Sequence, residues 1–204
     1  MHLPKTFFAI TAIFLAGAVT TPASSQSLEP AQPVVRRMID PPPAFTDSCK
    51  RYQWFCENRT TSVVPVERDD VLELAMMVNR RVNSMITELS DPENYGAADY
   101  WSLPSNGNGD CEDFVLQKYK LLLDAGVDSS YLSIAIVLNW TGENHAVLIL
   151  RHHSGDLVLD NLSRQIRPWN QTDYQYLAMQ SREDRMAWEV VVNQSRDRTV
   201  LAER

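Results

Sequence analysis

The sequence predicts an α+β domain, with helices first and an antiparallel sheet after them. Two features carry that expectation. Apolar residues recur at helical spacing from Val71 to Leu89 and again from Phe114 to Leu123. From Tyr131 onward they fall instead into short β-branched runs broken by turns.

The chain opens on Met1-His-Leu-Pro-Lys5, an apolar run from Phe7 to Val19, and the small residues Thr20-Thr-Pro-Ala-Ser-Ser25. That is the pattern of a signal peptide cleaved before Gln26. The apolar run is short for a membrane span, and an uncleaved anchor is the competing reading. Export to the periplasm or beyond follows, with no membrane span in the mature chain. About 180 residues then remain, enough for one well-packed domain. Losing Lys5 leaves 18 basic against 26 acidic residues, a net charge of −8. No basic stripe interleaves with aromatics, which argues against nucleic acid or an anionic membrane surface as partner.

Residues 26–44 hold Pro30, Pro33 and Pro41-Pro42-Pro43 and read as an extended strap, with the domain proper spanning 45–204. Cys49 and Cys56 flank a short segment. In an exported chain they are expected to pair, a closure worth about 2–3 kcal/mol by loop entropy. Cys111 is left over as a free thiol.

A long helix is expected after Glu67-Arg-Asp-Asp70. Its buried face carries Val71, Leu74, Ala75, Val78, Val82, Met85, Ile86 and Leu89, and Asp91-Pro92 ends it. Asn106-Gly-Asn-Gly-Asp110 leads into the second helix. Asp110 stands at the N-cap, Asp113 in the first turn, and Phe114, Val115, Tyr119, Leu122 and Leu123 form an inward stripe. Ala125-Gly126 closes it. Strands follow at Tyr131 to Leu138, His145 to Leu150, Leu157 to Leu162 and Trp188 to Val192.

Cys111 opens the second helix, where unpaired N–H groups and the dipole favour a thiolate. A cysteine nucleophile needs a base, and the base an orienting group. His152 and His153 lie in a turn, whereas His145 stands at the start of a strand, where a purely structural role competes with catalysis. Asp160 is an acid flanked by apolar strand residues and needs a partner. If the hairpin turns about His153-Ser154, paired residues sum to 307 and Asp160 faces Val147. His145 is then a diagonal neighbour on the same face, roughly 7–8 Å away at Cα. A turn about Ser154-Gly155 keeps the shared face but lengthens the distance.

This order of Cys, His and Asp resembles the bacterial transglutaminase-like cysteine proteinases, within the papain/transglutaminase superfamily. The matching segments are Asp99-Tyr-Trp, Gly109-Asp-Cys-Glu-Asp-Phe114, Asn144-His-Ala-Val-Leu148, and Leu159-Asp-Asn-Leu162 with Arg167-Pro-Trp169. The resemblance implies a papain/transglutaminase-like fold, with Cys111 as nucleophile, His145 as base and acid, and Asp160 as orienting group. Its best-known members are calcium-dependent periplasmic proteases that clip surface adhesins.

Asp110, Glu112 and Asp113 conflict with the nucleophile. A carboxylate about 6 Å from Cys111 at an effective dielectric near 20 disfavours thiolate by roughly 3 kcal/mol. Calcium held by these acids would remove the conflict; a solvent-facing helix cap is the alternative. For an oxyanion hole the Cys111 N–H is one donor, and the Trp101 indole is a candidate second, against a core role. The reading is an exported thiol hydrolase acting on a cell-envelope protein, with no organic cofactor. Transglutaminase or amidase chemistry and a non-catalytic calcium-stabilised binding module are the alternatives.

Overall fold

The computed structural model describes residues 34–57 and 68–192. The signal-peptide expectation for residues 1–25 lies outside them. In chain order the elements are β1 (Val34–Ile39), α1 (Pro43–Arg51), α2 (Arg68–Met85), β2 (Thr87–Glu88), α3 (Asp91–Asn94), β3 (Asn108–Gly109) and α4 (Cys111–Asp124). Then come β4 (Leu132–Leu138), β5 (Asn144–His152), β6 (Gly155–Leu159), β7 (Arg167–Pro168), β8 (Gln175–Gln180) and β9 (Trp188–Val192). This is the expected α+β arrangement. A seven-stranded sheet runs β1-β9-β8-β4-β5-β6-β7, antiparallel throughout.

The helices cover one sheet face. The alternate residues Ala146, Leu148 and Leu150 of β5, with Leu157 and Leu159 of β6, pack against Phe114, Val115, Leu122 and the buried α2 positions Val71, Ala75, Val78 and Val82. On the other face Val147, Ile149 and Val158 pack with Trp169, Tyr174 and Tyr176. A buried aromatic knot closes the end of the helical layer. Phe45 meets Phe55, Trp101 and Trp188 edge to face at 5.1–5.7 Å. Each such pair adds about 0.5–1.5 kcal/mol beyond area burial. Cys49 and Cys56 form a disulfide beside this knot, and Cys111 is free.

Three expectations are corrected. The strap is extended here but is part of the fold, because Val34–Ile39 pairs with β9 as the edge strand β1. Strand β8, between β4 and β9, was not anticipated. The long helix stops at Met85, and Met85 itself is exposed. Residues 87–88 pair in parallel with 108–109 instead. Asp91-Pro92 then opens α3 rather than ending α2, since proline needs no N–H partner in a first turn. No helix among the described residues is long and apolar enough to cross a membrane.

Candidate active site

Cys111 is the first residue of α4, placed against the start of the interior strand β5. Its Sγ, half-buried, accepts the Ala146 N–H at 3.4 Å. The Cys111 thiol donates to Glu112 Oε2 at 3.0 Å. Burial first, and the Glu112 carboxylate second, push the thiol pKa well up. As it stands, the acid beside it holds the thiol in its protonated form.

His145 lies next along β5. The β5–β6 register pairs Leu148 with Leu159 and Arg151 with Asp156, the sum of 307 that a turn about His153-Ser154 gives, and not the register of the alternative turn about Ser154-Gly155. Just past the end of that ladder His145 Nε2 and Asp160 Oδ1 sit 2.9 Å apart, both buried. A carboxylate only accepts, so Nε2 carries the proton and Nδ1 is left as the basic nitrogen. Asp160 is well supplied with donors. Oδ1 also accepts the Leu162 N–H at 3.0 Å, and Oδ2 accepts the Tyr174 hydroxyl. Burial alone would raise the Asp160 pKa, but the bonds from His145 and Tyr174, with the charge on His145, outweigh it and hold the carboxyl below its usual range. Behind it, Asn83 of α2 donates to the Asp160 carbonyl at 2.7 Å. Lys118 of α4 is fully buried, its Nζ 5.8 Å from the Phe114 ring and without a hydrogen-bond partner. Burial pushes it down to about 7, against the pull of Asp160.

The acids around Cys111 do not form a solvent-facing cap. Asp110 occupies the N-cap position without a side-chain capping bond, and Glu112 and Asp113 are buried. Two acids not foreseen as ligands join them. Asp91, Asp110 and Asp113 form one group, and Asp91, Asp99 and Glu112 another, with carboxylate oxygens within 4.8 Å of each other in each. Asp113 accepts the Ser102 N–H at 2.7 Å and the Tyr95 hydroxyl at 3.2 Å. Asp91 Oδ1 and Asp110 Oδ1 are buried with no partner. Burial and mutual repulsion raise Asp110 and Glu112, and burial takes Asp113 up to about 8. A pocket of facing carboxylates with orphaned oxygens suits a hard divalent cation. Gly109 permits this approach, because a Cβ there would fall 2.6 Å from the Asp113 Cβ.

Trp101, the candidate oxyanion donor, belongs to the aromatic knot, and its carbonyl accepts from Arg51 at 2.7 Å. The sequence reading missed Asp91, Asp99, Lys118 and Tyr174. Asp91-Pro92 reads locally as a helix terminator, because a buried acid after a short parallel bridge has no local signature.

A model of the family described as bacterial transglutaminase-like cysteine proteinase BTLCP matches residues 35–196. Among solved structures, Legionella pneumophila LapG is 28% identical over 65% of this chain and 75% of its own, with a TM-score of 0.50. The calcium-bound form of that protein gives 25%, 74% and 89% at a TM-score of 0.47. The EGTA-treated form gives 30% identity and 0.46, over 54% of this chain, and this chain spans 66% of it. No curated protein sequence matches.

Proposed function

The chain belongs to the bacterial transglutaminase-like cysteine proteinase family, and we propose that it is an exported cysteine peptidase that cuts a cell-envelope protein through Cys111, His145 and Asp160. The observation that carries the reading is the buried His145–Asp160 pair, bonded at 2.9 Å, at the strand end where Ala146 contacts the Cys111 sulfur.

In this reading His145 Nδ1 takes the Cys111 proton, and the sulfur attacks the scissile carbonyl. The Cys111 backbone N–H, at the start of α4, would donate to the resulting oxyanion. His145 then gives the proton to the leaving amine. The thioester formed on Cys111 is hydrolysed by a water that His145 deprotonates, which returns the free thiol. Asp160 keeps the imidazole in the Nε2–H form throughout and stabilises the imidazolium.

Asp91, Asp110 and Asp113, with Asp99 and Glu112, would hold a calcium ion. The orphaned Asp91 and Asp110 oxygens support the fit. Bound there, calcium would neutralise the negative charge that keeps the thiol protonated. The N-terminal signal pattern supports export, and the Cys49–Cys56 disulfide suits an oxidising compartment such as the periplasm.

Incubating envelope proteins with the wild type and with Cys111→Ala tests the proposal. Cleavage products from the wild type alone are the expected result. Identical product patterns from both proteins would overturn it.

A further inference from the structure

The Asp160 carboxylate has a second side-chain donor that the peptidase reading does not use. The Tyr174 hydroxyl bonds Oδ2 while His145 bonds Oδ1, so the two clamp the carboxylate from opposite oxygens. The Tyr174 ring also lies 5.7 Å from the His145 ring. On its outer side Trp140, itself largely exposed, stacks on Tyr174 at 6.3 Å and 16°. A cleft of about 260 Å³ lined by Trp140, Asp160, Leu162, Arg167 and Tyr174 opens against this assembly, yet Asp160 is only 4% exposed. Asp160 thus borders the cleft, and Tyr174 covers the carboxylate on its Oδ2 side.

We propose that Tyr174 is a positioning residue for the His145–Asp160 pair: its hydroxyl locks the carboxylate rotamer, and its ring, backed by Trp140, keeps water from the bond between them. The proposal rests on the assignment of Cys111, His145 and Asp160 as the reacting set. Without Tyr174 the carboxylate would be held at Oδ1 alone, by His145 and the Leu162 N–H, and would be freer to swing about its Cα–Cβ and Cβ–Cγ bonds, taking the imidazole with it. A second donor on Oδ2 removes that freedom. Misplacing a reacting group by about 1 Å costs on the order of 10²-fold in rate. Nothing in residues 170–176 reads as a site motif, because Tyr174 reaches Asp160 only through the fold.

Tyr174→Phe keeps the ring and removes only the hydroxyl. In the full chain with calcium present, three readouts apply: the imidazole ¹H–¹⁵N spectrum of His145, the rate of Cys111 alkylation by iodoacetamide, and cleavage of envelope proteins. In the wild type the His145 Nε2–H proton should resonate downfield and exchange slowly. In Tyr174→Phe it should exchange into water, with alkylation and cleavage slowed about 10–100-fold and the melting curve still cooperative. An unchanged Nε2–H signal with rates within twofold of wild type overturns the proposal. Should the Phe variant fail to fold, Trp140→Ala replaces it; faster exchange of the same proton supports the shielding role, and an unchanged rate overturns it. Cys111→Ala run alongside separates the two readings. Cleavage that survives in Cys111→Ala removes the peptidase assignment, while the His145 signal still decides the part played by Tyr174.

Discussion

Two groups of buried carboxylates flank Cys111, and they are opposites. Asp160 has donors on both oxygens, from His145, Leu162 and Tyr174, and its pKa is lowered. The acids at the start of α4 face one another, leave Asp91 Oδ1 and Asp110 Oδ1 unpaired, and are raised. Asp160 on one side, and Asp91, Glu112 and Asp113 on the other, are all out of water. What separates them is whether the fold supplies protons and positive charge or more acid. The first group is complete as folded; the second is completed by a cation.

The largest expected effect breaks the complete side. Asp160→Asn keeps the shape but removes the charge that selects the Nε2–H tautomer, and cleavage should fall about 10³–10⁴-fold. A loss below tenfold would mean that Asp160 does not orient His145, and the comparison would fail.

Next comes Lys118, the buried amine whose Nζ has no hydrogen bond and which feels the charge of Asp160. Its pKa lies below the unfolded 10.5, so the folded state resists charging it, and stability rises with pH between about 7 and 10.5. Lys118→Met should therefore stabilise the protein by on the order of 3 kcal/mol near pH 6. The gain should shrink toward pH 10. Denaturant unfolding at both pH values checks the sign. A destabilised Met variant would make Lys118 an essential counter-ion of Asp160.

On the incomplete side, calcium at a hundredfold excess over its Kd should add about 2.7 kcal/mol. For a domain of this size that raises Tm by roughly 5–10 °C. Cys111 alkylation should also speed up. Asp91→Asn should abolish both effects, and melts that coincide in calcium and in chelator would sink the cation site.

The smallest effect tests the brace behind the acids. Arg51 donates to the Trp101 carbonyl, and the Tyr52 hydroxyl lies 3.3 Å from Ser102 Oγ, in the loop whose Ser102 N–H holds Asp113. Both residues lie in or next to the helix stapled by Cys49–Cys56. Replacing both cysteines by Ser should cost about 2–3 kcal/mol and weaken calcium binding. The cleavage rate at saturating calcium should stay within twofold. A calcium affinity unchanged by the loss of the disulfide would separate the brace from the site.

Much of this molecule was legible in the chain because it depends on near neighbours. The stripe Phe114, Val115, Tyr119, Leu122 and Leu123 is buried as its spacing required. The β5–β6 register followed from a two-residue turn and the two-residue period of a strand, so His145 and Asp160 could be set on one face by arithmetic. The pairing of Cys49 with Cys56 followed from seven residues of separation. Tertiary structure alone decided which partners each carboxylate meets. Asp91 and Asp99 reach the acids of α4 from a loop held by the β2–β3 bridge. Tyr174 reaches Asp160 from a loop before β8, and Lys118 is buried within its field from a turn of α4 well past Cys111. A carboxylate's pKa and role are set by groups within a few ångströms in space. Sequence periodicity tells which side of an element is buried, but not what waits for it there.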